Sequence, residues 1–187
     1  MAPKKFKVGY MKIGIDISQI VHEGTGVAKY VRQMVRALVQ SDSKNDYILF
    51  AASLRRREVF QRFAASLPRR VALITVPIPP TVLDIFWNRL HIVPVEWFTG
   101  RLDVFWSSDW TQPPLQQARG VTTIHDVSFL RFPESFAKKI IAVQHRRLAR
   151  AISECAMFFC DSQSTKKDFM EFYHVEEKRI VVVYSGL

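Results

Sequence analysis

The chain has 187 residues, 48% of them hydrophobic and 24% charged, with a formal net charge of +10. This is globular composition, and the length supports one sizeable core rather than two. No apolar run approaches the roughly 20 residues needed to cross a bilayer, and the opening "MAPKKFKVGY" lacks the apolar stretch of a secretory signal.

Residues 1 to 10 are expected to be an upstream extension or a cloning remnant, because Met11 opens the first credible strand, "MKIGIDI" (11 to 17). A helix is expected over "GVAKYVRQMVRALVQ" (26 to 40). There Val27, Val31, Met34, Val35 and Leu38 share one face, and Lys29, Arg32, Gln33 and Arg36 the other. "DYILFAA" (46 to 52) predicts a second strand, "LRRREVFQRFAAS" a basic helix, and "RVALITVPI" a third strand broken by Pro77, Pro79 and Pro80. Residues 81 to 99 are aromatic-rich and partly helical. A short strand, "DVFWSS", and a loop through Pro113 and Pro114 lead to "VTTIHDVSFL" (121 to 130), where a β-branched run stops at His125 and Asp126. Pro133 is expected to introduce a long helix to about residue 155, followed by the strand "AMFFCDS". Ser162 then caps the helix "QSTKKDFMEFY", since its hydroxyl can accept an orphan N–H of the first turn. "RIVVVYSGL" is the last strand.

Strands alternate with helices, and several strands are apolar on both faces. That pattern predicts an α/β fold, a doubly wound and mostly parallel sheet covered by helices on both sides. Cys155, near a helix end, and Cys160, within a strand, read as buried inert thiols of a reducing compartment. The five histidines have no metal-ligand spacing. A cytoplasmic protein is expected, with its basic surface favouring phosphate-bearing partners.

In doubly wound sheets, ligands sit at the carboxyl ends of strands. Two segments point there. "HEGTGVAKY" (22 to 30) places Gly24 and Gly26 before a helix, so that backbone and helix N-terminus can approach an anion. A tight turn without a ligand explains a lone Gly-x-Gly equally. The segment is no nicotinamide fingerprint, because Lys29 occupies the third glycine position and "FAAS" lacks the ribose-binding acid. His125 stands at another strand end, and the shared edge favours a catalytic over a purely structural histidine. Asp126 either contacts substrate or caps the following turn. Asp16, inside the first strand, is expected to bond nearby backbone. There is no Asp-x-Asp, P-loop or Gly-x-Ser-x-Gly. The basic helices at 54 to 66 and 137 to 152 read as solvated faces. The first has an alternative: Arg55, Arg56 and Arg57 on an anionic membrane, with Phe60 and Phe63 inserted.

Taken in order, the glycine loop with its "GVAKYVRQMVRAL" helix, "VTTIHDVSFLRFPESF", and "RLARAISECAMFFCDSQSTKKDFMEFYHVEEKRIVVVYSGL" resemble the N-terminal half of glycosyltransferase family 4, retaining enzymes of GT-B fold. The resemblance spans about residues 11 to 187. It implies a Rossmann-like acceptor-side domain ending at an interdomain hinge, with a donor-binding C-terminal domain lying outside this chain. That domain, in cis or in trans, would be the partner. The family's usual Asn-Gly at the junction is Ser185-Gly186 here. By resemblance, Gly24, Thr25 and Gly26 line the cleft near donor phosphate and acceptor, and His125 is the catalytic residue beside the reacting sugar carbon. Asp126 would meet substrate, and Ser162 would cap its helix near the cleft. The implied reaction transfers a hexose from a nucleotide diphosphate sugar to a sugar or lipid-linked acceptor, with no cofactor and no essential metal. The lone chain is expected to be inactive. The rival readings are a non-catalytic module of the same fold binding phosphate ligands or an anionic membrane, and a basic nucleic-acid-binding domain. The second lacks any recognised motif.

Overall fold

A computed structural model describes residues 9–184. Seven parallel strands form one sheet in the order β3-β2-β1-β4-β5-β6-β7: β1 (Lys12–Asp16), β2 (Asp46–Ala52), β3 (Val71–Val76), β4 (Val104–Ser107), β5 (Arg119–Ile124), β6 (Cys155–Cys160) and β7 (Ile180–Val182). The main helices are α1 (Gly26–Ser41), α2 (Arg57–Ala65), α3 (Pro80–Leu83), α4 (Glu96–Thr99), α5 (Ser128–Arg131), α6 (Lys138–Glu154) and α7 (Gln163–Tyr173). The expected α/β fold, a doubly wound sheet of Rossmann-like type, is therefore present.

Strand β2 explains why its sequence shows no alternation. Tyr47, Leu49 and Ala51 point into the core under α1 and α2. Ile48, Phe50 and Ala52 point into the opposite core with Leu83, Trp87 and Phe105. Both faces are covered, so both sets are apolar. A third core lies along β5, β6 and α7, around Phe158 and Phe169.

The chain runs β1 to β2 to β3 toward one edge of the sheet. It then returns to β4 on the other side of β1. The reversal opens a crevice beyond the carboxyl ends of β1 and β4, where such sheets take ligands.

Several expectations need correction. Pro133 starts only a short 3₁₀ turn, Pro133–Ser135, and α6 begins at Lys138. Between them Phe136 is extended and packs against the β5–β6 core, which interrupts the helix. Arg55 and Arg56 precede α2 rather than riding on it. Residues 81 to 99 are partly helical, as expected: α3 widens into a π-helical stretch, Asp84–Arg89, before α4. Membrane insertion by Phe60 and Phe63 is incompatible with their burial in the core. The guanidinium groups of Arg32 and Arg36 lie over the Phe63 ring, so that face of α2 is closed by protein. Nor is the basic side of α6 simply solvated, because Arg147 is 2% exposed. Ser185 and Gly186 lie outside the described residues.

Candidate functional site

Three side chains fix the carboxyl edge from beneath. Arg147, reaching up from α6, donates to the carbonyls of Ser108 and Thr123 at 3.1 Å each and to the Thr122 hydroxyl. It ties the ends of β4 and β5 together, and burial pulls its guanidinium below the usual value. Asp16, at the end of β1, accepts the Ser18 N–H at 2.8 Å, the backbone role expected of it. Its other oxygen is buried with no hydrogen-bond partner among the described residues. Burial, reinforced by the Asp109 charge, pushes its carboxyl up to about 6. Trp106 donates from its indole N–H to the Thr123 hydroxyl at 3.1 Å.

Above this floor lie two clefts. The first, of about 540 Å³, sits at the reversal point. Its walls include Ser18 after β1, Ser53 after β2, Asp109 and Trp110 after β4, and Asp84 and Lys139. Asp109 contributes a buried carboxylate oxygen with no partner among the described residues. The second, of about 760 Å³, lies between α1 and the ends of β5 and β6 and is lined by Gly26, Lys29, Tyr30, His125 and Asp161. Val27 lines both clefts. The two hollows therefore meet at the first turn of α1.

The residues singled out by sequence divide into two sets. His125 and Gly26 share the second cleft. Gly24, Thr25 and Gly26 also border a shallow hollow with Arg32 and Arg36. Asp126 and Ser162 line a separate hollow between α5 and α7. Asp126 accepts the Ser128 N–H at 2.9 Å, and Ser162 accepts the Thr165 N–H at 3.0 Å. Both oxygens cap turns, and neither residue lines the His125 cleft. Thr25 likewise caps α1, accepting from the Ala28 N–H at 3.2 Å.

The two glycines differ. Gly24 has φ +88°, a conformation that L side chains rarely adopt, so the turn alone accounts for it. Gly26 shows no such φ, and a Cβ there would meet nothing within 4 Å. The fold does not require glycine at that position, which lines both the His125 cleft and the shallow hollow beside Arg32.

Asp161 went unnoticed in the sequence. Its Oδ2 lies 2.7 Å from His125 Nδ1. The signal that could have found it is register. Ile124 and Cys160 are paired across the β5–β6 ladder, so the residues that follow each strand, His125 and Asp161, leave the sheet side by side. Tyr30, from α1, stands edge-on to the imidazole with ring centroids 4.9 Å apart.

Both cysteines are free and buried, and burial pushes each thiol up to about 12, as inert thiols require. Among the described residues no group of three or more His, Cys, Asp or Glu could hold a metal ion, and no helix is long and apolar enough to cross a membrane.

Comparison with curated proteins finds no match. The model of glycosyltransferase family 4 matches residues 24–187, a span that takes in Gly24, Gly26, His125 and the whole lining of the second cleft, while Ser18 of the first cleft lies before it. The chain belongs to glycosyltransferase family 4.

Proposed function

We propose that this domain is the acceptor-holding half of a retaining glycosyltransferase that moves a hexose from a nucleotide diphosphate sugar. The acceptor, a sugar or a lipid-linked sugar, lies in the cleft at the reversal point. The donor sugar lies beside His125, and the two meet across Val27. A second GT-B domain, in cis or in trans, closes over the donor and supplies the cations for its diphosphate. The reaction runs in the cytoplasm and calls on no metal. Its catalytic power comes from electrostatic stabilisation of the leaving diphosphate.

One observation carries this reading. Gly26, which the fold does not require to be glycine, opens onto the same cleft as His125. Glycine at the first position of a helix costs up to about 1 kcal/mol relative to alanine. A glycine placed there without a conformational need is explained by a ligand that approaches the backbone closely.

Gly26→Ala separates folding from binding. The variant should be at least as stable as the parent in urea, because no atom obstructs the methyl group. It should lose most of its affinity for UDP-glucose or GDP-mannose in the assembled two-domain enzyme. Undiminished donor affinity and turnover would refute the reading. Transfer between two substrates needs both held in register, and that register is worth roughly 7 to 11 kcal/mol of barrier. These 187 residues alone are therefore expected to give no turnover, with activity appearing when a family C-terminal domain is added.

A further inference from the structure

His125 is held on three sides. Its carbonyl accepts the Thr165 hydroxyl at 3.1 Å, Tyr30 stands against the ring at an interplanar angle of 89°, and Asp161 Oδ2 meets Nδ1 at 2.7 Å. Ionised, a carboxylate only accepts hydrogen bonds. The short contact at Nδ1 therefore requires the imidazole proton to sit on Nδ1. Nε2 has no partner among the described residues, and the ring lines the cleft shared with Gly26 and Lys29.

We propose that Asp161 is a positioning residue that locks the neutral His125 ring in its Nδ1–H tautomer, so that Nε2 presents a lone pair to the cleft. The ligand group this selects is a hydrogen-bond donor, and a sugar hydroxyl fits it. A phosphate oxygen or carbonyl, being acceptors, do not. In free histidine the neutral ring favours the other tautomer, with the proton on Nε2, which would present a donor instead. Asp161 thus decides whether His125 accepts from a hydroxyl or donates to an oxyanion. The inference about the ligand rests on the proposed role of His125 beside the donor sugar. The inference about the tautomer does not.

The test is ¹⁵N NMR on the chain labelled at histidine, with His125→Asn assigning the signals. The pH is one at which the ring is neutral, set by titrating the same resonances. The wild-type spectrum should show a pyrrole-type Nδ1 and a pyridine-type Nε2. Asp161→Ala should move the population toward Nε2–H, and Asp161→Asn, whose carbonyl can still accept, should restore part of the Nδ1–H form. A wild-type ring protonated on Nε2 overturns the proposal even if neither variant folds. An unchanged tautomer in folded Asp161→Ala overturns it as well. In the assembled two-domain enzyme, adding UDP-glucose or GDP-mannose should shift the Nε2 signal as it accepts a hydrogen bond. If Nε2 stays silent while the tautomer responds to Asp161 as described, the Asp161 assignment stands and the sugar reading of His125 fails.

Discussion

Replacing Asp16 by asparagine should stabilise this protein at neutral pH. Asp16 is 3% exposed, and one of its oxygens has no partner among the described residues. Burial outweighs the hydrogen bonds from Ser18 and Ser108, so its carboxyl titrates near 6 instead of 3.8. In the unfolded chain the proton leaves near 3.8. Between these values the native state holds a proton that the unfolded state has released, so stability falls as pH rises from about 4 to 6. Above that window the full penalty applies. The gap between the two values corresponds to about 3 kcal/mol at most. Asparagine keeps an oxygen for the Ser18 N–H and carries no charge, but its amide is itself a buried polar group. A net gain of about 1 to 3 kcal/mol at pH 7 is the expectation. Urea unfolding followed by the fluorescence of the four tryptophans, for parent and variant from pH 4 to pH 8, reads it directly. Other titrations are common to both proteins and cancel in the difference. That difference should be near zero at pH 4 and grow through pH 6. A difference that is flat with pH, or an asparagine variant less stable at pH 7, would refute the account of Asp16 as a buried, charged and underpaired carboxylate.

Gly120→Ala should cost about 1 to 3 kcal/mol or more in urea unfolding. A Cβ there would come within 2.9 Å of Cys155 Cα and 3.0 Å of the Glu154 carbonyl oxygen, both backbone atoms unable to step aside. Ser162→Ala should lose about 1 kcal/mol through the cap of α7 while leaving donor affinity in the proposed two-domain enzyme unchanged, because Ser162 does not line the His125 cleft. Phe60→Ala should cost about 3 to 5 kcal/mol in thermal or urea melts, as befits a core residue. Any vesicle binding through Arg55 and Arg56 should then be purely electrostatic and vanish at high salt.

The fold was legible because its strands are apolar on both faces and its helices carry one apolar stripe. For β2 the expected and observed limits coincide, 46 to 52. The π-helical stretch was illegible because it is held by particular side-chain hydrogen bonds, most of them local, that no apolar periodicity announces. Trp87 donates to the Val93 carbonyl, Asn88 bonds Asp84 and the Trp110 carbonyl, and Arg89 pairs with Asp84. At the site, linear sequence could locate strand ends but not say which way a short side chain turns. Asp126 follows His125 directly, yet its carboxylate closes a turn on the far side of the strand end. Asp161 lies 36 residues downstream and touches the imidazole. Adjacency in sequence misled there, and adjacency across a parallel ladder would have served better.

The same geometry changes what the net charge means. Arg70 donates to the Val39 and Asp42 carbonyls at the end of α1. Arg179 donates to the Ile152 and Cys155 carbonyls at the end of α6, and Arg150 to the Asn88 and Arg89 carbonyls where the π-helical stretch closes. The last carbonyls of a helix have no partner within it and carry a negative partial charge. Arginines from neighbouring segments satisfy them here. Three of the 27 basic side chains are thus engaged on the chain's own helix ends, so the net charge by itself says little about partners. An anionic ligand at the carboxyl edge would meet only a few cations there. Lys29 lines the His125 cleft, and Lys139 lines the cleft at the reversal point. Both stand where the strand order reverses or where β5 and β6 end, which is where the fold itself directs a ligand. Position, rather than the sum of charges, is what supports the proposed diphosphate donor at this edge.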